Sequence, residues 1–216
     1  MSIQTIINRA GFITIDKRKL ASQTISRSGR LLTAEVTSAR PYRFIVGVNE
    51  GYSYTENRAV LEELDRLDIT EEENINIGST NTGLSYITAY RGGANVTQIG
   101  QITVTSASSG NIVLDTTSVV GTPSNAFVKG DFIQLDTSYR YPYQVTADVA
   151  WNATSITVPI HRNFIPQDSY TVAGKGILVG SDVTWNVKMT AKPTYTILPY
   201  DRFTLDSELE LVEVIT

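Results

Sequence analysis

Val183-Thr-Trp-Asn-Val-Lys-Met-Thr190 alternates without a break: Val183, Trp185, Val187 and Met189 share one parity, Thr184, Asn186, Lys188 and Thr190 the other. Successive side chains of an extended strand point to opposite faces, so the octet reads as a strand with one buried and one wet face. The same period recurs in residues 30–48. Leu32, Ala34 and Val36, then Phe44, Val46 and Val48, mark two strands broken at Arg40-Pro41. Ser85–Tyr90 reads as another strand, ended by Gly92-Gly93, and Leu209, Leu211 or Val212, and Val214 as a last one. Thr (27), Ile (21) and Val (19) supply 67 of the 216 residues, and branching at Cβ favours strands over helices. The chain is expected to be mainly β.

One segment reads as a helix. Over 53–68, Val60, Leu61, Leu64 and Leu67 fall on one face of a 3.6-residue repeat, and Ser53 and Glu56 have the spacing of a capping box. Ile69-Thr70 and the acidic run after them end it.

Residues 97–180 have a different texture. Short strands (Gln101–Thr105, Asn111–Leu114, Asp131–Leu135, Tyr143–Val149, Ser155–Pro159) are spaced by Gly, Ser, Pro and Asn, the pattern of a small barrel or sandwich. Glycines punctuate both flanks. The expectation is a domain inserted at 97–180 into a split one formed by 30–96 and 181–216, with 1–29 as an N-terminal arm.

The absence of cysteine excludes thiol catalysis, zinc knuckles and a disulfide framework. A net charge of −4 argues against a dedicated polyanion binder. No stretch approaches the roughly 20 apolar residues that span a bilayer, and Met1-Ser-Ile-Gln-Thr-Ile-Ile7 lacks the basic-then-apolar order of a secretory signal. Synthesis and retention in the cytoplasm, or export within something larger, is expected.

Charge is unevenly spread. Residues 1–50 carry eight basic and three acidic side chains, residues 51–75 two and eight. The extremes are Lys17, Arg18 and Lys19 against Glu71, Glu72 and Glu73. They read either as solvated loops or as complementary patches joining copies of the chain in a ring.

Chemistry is sparse. His161 is the single histidine, so it reads as structural or interfacial rather than as part of a triad or metal site. Asp131 opens one strand and Asp148 closes the next, and both suit turn capping or strand ending. No phosphate loop or calcium loop occurs, and no catalytic, cofactor or metal residue is expected. Tyr139, Arg140, Tyr141 and Tyr143 crowd around Pro142. They suit packing within the small barrel, a protein interface, or stacking on a ligand such as a glycan.

Gly130-Asp-Phe-Ile-Gln-Leu135, Tyr141-Pro-Tyr-Gln-Val-Thr146 and Thr157-Val-Pro-Ile-His-Arg162 together resemble small β domains in tail proteins of long-tailed bacteriophages. Trp185–Met189, Lys192-Pro193, Thr196-Ile-Leu-Pro199, Asp201-Arg202 and Glu208–Val214 resemble the end of the distal tail protein family and related tail-tube and baseplate proteins. The resemblance spans most of 30–216; residues 1–29 match no such pattern. It implies a split tube-type β-barrel with one α-helix and an inserted small OB-like β-barrel domain. It also implies a non-enzymatic virion protein: a ring, hexameric in this family, that joins the tail tube to baseplate hub or tail-tip proteins, with DNA only passing through its channel. The alternative is a carbohydrate-binding module of a tail tip, with Tyr139, Tyr141, Tyr143 and Trp151 as contacts.

Overall fold

In the computed structural model, residues 3–17, 21–25, 31–35, 41–47, 52–66, 71–138, 140–165 and 172–215 are described. The first strands are β1 (Phe12–Asp16), β2 (Ala21–Ile25), β3 (Leu31–Glu35), β4 (Arg43–Gly47), β5 (Tyr52–Ser53) and β6 (Glu72–Ile75). There follow β7 (Thr103–Ser108), β8 (Asn111–Asp115), β9 (Asn125–Phe127), β10 (Phe132–Leu135), β11 (Tyr143–Gln144), β12 (Val149–Ala150), β13 (Ser155–Pro159) and β14 (Ile177–Val179). The last are β15 (Trp185–Ala191), β16 (Tyr195–Leu198), β17 (Arg202–Leu205) and β18 (Leu209–Glu213). The protein is mainly β, but three α-helices, not one, occur among the described residues: α1 (Ile3–Ile7), α2 (Tyr54–Arg66) and α3 (Val96–Gln101).

The alternating octet becomes β15, inside an antiparallel sheet of order β1-β4-β18-β15-β6. Its register carries one apolar face across the sheet: Ile15 lies opposite Phe44, Phe44 opposite Leu211, and Leu211 opposite Met189. Phe44, Leu211, Met189, Val187 and Trp185 are buried, whereas Arg43 and Lys188, of the other parity, reach solvent. Helix α2 lays Leu64 on this core, with Val60 packed against it, buries Leu61, and leaves Glu56, Glu62 and Asp65 outside. The Glu56 N–H donates to Ser53 Oγ at 3.2 Å, as the capping spacing predicts. Leu67 and Ile69-Thr70 lie outside the described residues, as do Val36, Arg40 and Val48.

The expected arm is corrected in part. Ile3, Ile6 and Ile7 of α1 are buried in this core, and β1 pairs with β4 along its whole length. A five-residue helix does not persist alone, because nucleation fixes several residues for few hydrogen bonds. Here the Glu73 carboxylate accepts the N–H groups of Ile3 (2.6 Å) and Gln4 (3.4 Å), supplying partners that the helix lacks. Strands β2 and β3 pair with each other across the expected boundary at residue 29.

A second core draws on residues 94–177, including Ile102, Ile112, Leu114, Phe127, Ile133 and Val158. Its strands form two three-stranded sheets, β13-β8-β7 and β11-β10-β14, and the pair β12-β9. Ser85–Ile87 forms a 3-10 turn instead of the expected strand, because Tyr86 and Ala89 are exposed and the run has no apolar parity to bury. The run expected as one strand over Tyr143–Val149 splits into β11 and β12. Among the described residues no helix is long and apolar enough to cross a membrane.

Candidate functional site

Three features of the surface and of the junction between cores bear on function. The junction is the most ordered. Phe132 of β10 leaves the second core and enters the first, where it meets Trp185 edge-on at 5.5 Å. Tyr42, fully buried, packs on Phe44 (6.1 Å), Trp185 (5.9 Å) and His161 (5.1 Å). Beside it, the Arg162 guanidinium donates to both carboxylate oxygens of Glu213, at 2.5 and 2.7 Å, and to the Pro142 carbonyl at 2.9 Å. Its carbon lies 5.3 Å from the Tyr42 ring centre and 5.2 Å from that of Tyr143. Glu213 also accepts the Tyr42 N–H at 2.9 Å.

Both ionic side chains are shut off from solvent. Burial opposes the Arg162 charge, but the adjacent carboxylate and its hydrogen bonds outweigh it, so the guanidinium holds its proton more firmly than usual. Burial also drives the Tyr42 phenol far above its ordinary range, with Arg162 pulling weakly the other way. A second tie runs from Gln134, whose amide accepts the Thr184 N–H (3.0 Å) and donates to the Thr184 carbonyl (2.8 Å). His161 takes a structural place here: its Nδ1 accepts the Gln144 N–H at 2.9 Å. Sequence reading passed over Arg162 and Glu213. The usable signal was Glu213 sharing the inward parity of Leu209 and Leu211.

The described start of the basic run and the acidic run fall on opposite edges of the five-stranded sheet. One row of register partners, Asp16, Arg43, Val212, Lys188 and Glu72, crosses it from β1 to β6. Lys17 follows directly after Asp16, and Glu71 and Glu73 flank Glu72, so Lys17 and the acidic run occupy the same level at the two edges. Arg18 and Lys19 lie outside the described residues, and Lys17 is half-buried. The acidic run is not uniformly free, which corrects its reading as a simple patch. Glu71 and Glu72 are exposed, Glu72 accepting from Asn186 at 2.8 Å, whereas Glu73 faces the core and caps α1. Just beyond β6, the Gln4 side chain binds the N–H (2.6 Å) and carbonyl (2.9 Å) of Asn76, blunting that end of the edge.

The aromatic run is corrected more sharply. Tyr141 and Tyr143 are buried in the second core, 3% and 0% exposed, so neither can meet a glycan or a neighbouring subunit. Arg140 is half-buried, and Tyr139 lies outside the described residues. Trp151 is partly buried against the same core. The two aspartates are backbone caps: Asp131 accepts the N–H groups of Arg91 and Val128 (both 2.9 Å), and Asp148 that of Lys129 (2.8 Å). Among the described residues no group of three or more His, Asp or Glu is placed to hold a metal ion.

Compared with known proteins, the chain matches no protein-family model and no curated protein.

Proposed function

We propose that the chain is a structural, non-catalytic protein of a bacteriophage tail. Six copies close head to tail into a ring at the distal end of the tail tube, join it to the baseplate hub or tail tip, and leave a channel for DNA. In this reading 30–96 and 181–216, completed by α1 and β1 from the N-terminal stretch, form a split tube-type barrel, with 97–180 as an OB-like insert. Its wider support is the sequence resemblance to distal tail proteins.

The observation that carries it is the pair of sheet edges. Four antiparallel steps separate β1 from β6, so the two edge strands run in the same direction. A copy related by rotation about an axis along the strands brings its β6 beside β1, continuing the sheet. The basic and acidic runs then meet at one level, within a few residue steps of about 3.3 Å each. Like edge against like edge gains nothing from the opposite charges, so the complementarity favours a closing ring over a two-fold pair.

Sedimentation velocity at low and high salt tests it. Oligomers of the parent should dissociate as salt rises, since contacts at a rim are screened beyond about 8–10 Å. Lys17, Arg18 and Lys19 changed together to Ala should weaken assembly. Adding Glu71→Gln and Glu72→Gln, with Glu73 kept for its capping role, should restore part of it. A parent that is monomeric at every salt and concentration removes this contact from the account.

A further inference from the structure

An open cleft of about 570 Å³ lies where residues 78–90, the start of α3 and the 179–182 turn converge. Its volume falls within the range of ligand sites, roughly 300–1,000 Å³. Two glycines shape its floor. A Cβ at Gly78 would sit 2.1 Å from Thr88 Oγ1, and Gly180 is buried at φ 62°, a conformation that side chains disfavour. Asn76 Nδ2 donates to the Ser181 carbonyl at 2.6 Å and holds the turn against the segment leading into the cleft. The α3 wall is fixed by Asn95, whose Oδ1 accepts the Gln98 N–H at 2.9 Å while its own N–H donates to Gln98 Oε1.

The chemistry of the lining is specific. Tyr86, 67% exposed, and Val96, 89% exposed, both line the cleft. Thr80, Ser85, Asn95 and Ser181 supply hydroxyl and amide groups, and Asp182 is the one charged side chain among the described residues that line it. Among the described residues, no lysine, arginine or histidine lines it. Phosphate or carboxylate ligands would meet Asp182 with no cation to offset it, which disfavours nucleotides and acidic polymers. A sugar ring has the matching surfaces: an apolar C–H face for an aromatic ring and a rim of hydroxyls for an amide, hydroxyls and a carboxylate.

We propose that this cleft binds a short segment of neutral oligosaccharide, with Tyr86 as the platform and Asp182 as an acceptor for ring hydroxyls. This site is separate from the buried tyrosine run and does not depend on ring assembly.

The test uses the full chain with three neutral tetrasaccharides (maltotetraose, cellotetraose and chitotetraose) and tetragalacturonate as the anionic comparison. Binding is read by ligand-observed NMR and titration calorimetry. At least one neutral tetrasaccharide should bind in preference to tetragalacturonate. Tyr86→Ala should weaken that binding about tenfold, the loss expected for one aromatic contact. Asp182→Ala should weaken it several-fold. Tyr200→Ala, removing a 95% exposed tyrosine outside the cleft, should leave it unchanged. Tyr86 is exposed, so its variant should melt with the parent, and Tyr86→Phe should keep most of the affinity. Failure of all three neutral sugars to bind, equal or tighter binding of tetragalacturonate, or binding indifferent to Tyr86→Ala would overturn the proposal.

Discussion

Glu213 faces Arg162 across the junction of two hydrophobic cores, and the pair has no solvent to share its charge with. Fifty-one residues separate them, and Glu213 also reaches 171 residues back to hold the Tyr42 N–H. A buried ion pair adds little net stability over an apolar replacement, yet breaking it strands a charge. Arg162→Met alone, or Glu213→Leu alone, should therefore cost about 3–5 kcal/mol. The double variant should recover most of that loss. Urea melts of the four proteins close the cycle; equal losses in the double and single variants would mean that the tyrosines around the pair hold the junction.

The same junction predicts an asymmetric response to dissection. Residues 97–180 retain nearly all the residues of the second core, so the fragment expressed alone should melt cooperatively. The remainder, joined by a short Gly/Ser linker, loses Phe132 from its core and Arg162 from Glu213. It should be unfolded or molten, and Glu213→Leu should improve it. Near-ultraviolet circular dichroism of both pieces checks this; an equally well-folded remainder with and without that change would refute it.

Leu64 and Glu62 lie two residues apart on α2 and should behave oppositely. Leu64, 2% exposed, leaves a cavity on change to Ala, at a cost of about 2–5 kcal/mol. Glu62 is exposed and bonds only to Arg58 one turn away among the contacts described, so Glu62→Ala should cost no more than about 0.5 kcal/mol. Denaturant melts measure both.

Asp201 ties the β16–β17 hairpin to the start of α2. Its carboxylate accepts the Ser53 hydroxyl (2.6 Å), the Thr55 hydroxyl (2.7 Å) and the Thr55 N–H (2.9 Å), which hold its pKa below the ordinary 3.8. A depressed carboxylate stabilises the fold above its unfolded pKa and loses that contribution as pH falls through the folded value. The tie should thus be intact at neutral pH and weaken only below pH 3.8. Amide exchange at Thr55 should rise there in the parent, and should already be fast at neutral pH in Asp201→Ala.

Legibility followed the range of the interaction. The period of β15 and the face of α2 were plain because one element shows its whole pattern locally. Helix α1 was not, although Ile3, Ile6 and Ile7 have helical spacing, because its stabilising carboxylate is 70 residues away. The Tyr141 and Tyr143 rings looked available because aromatic clusters read alike inside and outside; Tyr143 is covered by Arg162 and Phe164, which arrive from the segment after β13. The charge runs were visible, but their shared level required the register of four strand pairs. The cleft was not visible at all, since its walls come from three separated segments.

The place of β18 has a consequence for how the chain is made. It is the central strand of the five-stranded sheet and the last described strand to leave the ribosome. Until it emerges, β4 and β15 have no partner between them, and β1 and β4 must wait as a bare hairpin through the synthesis of more than 160 residues. The second core, whose buried residues end at Ile177, can close first. Biogenesis is therefore expected to run from the middle outward, with the late strand joining the β1–β4 pair to the β15–β6 pair.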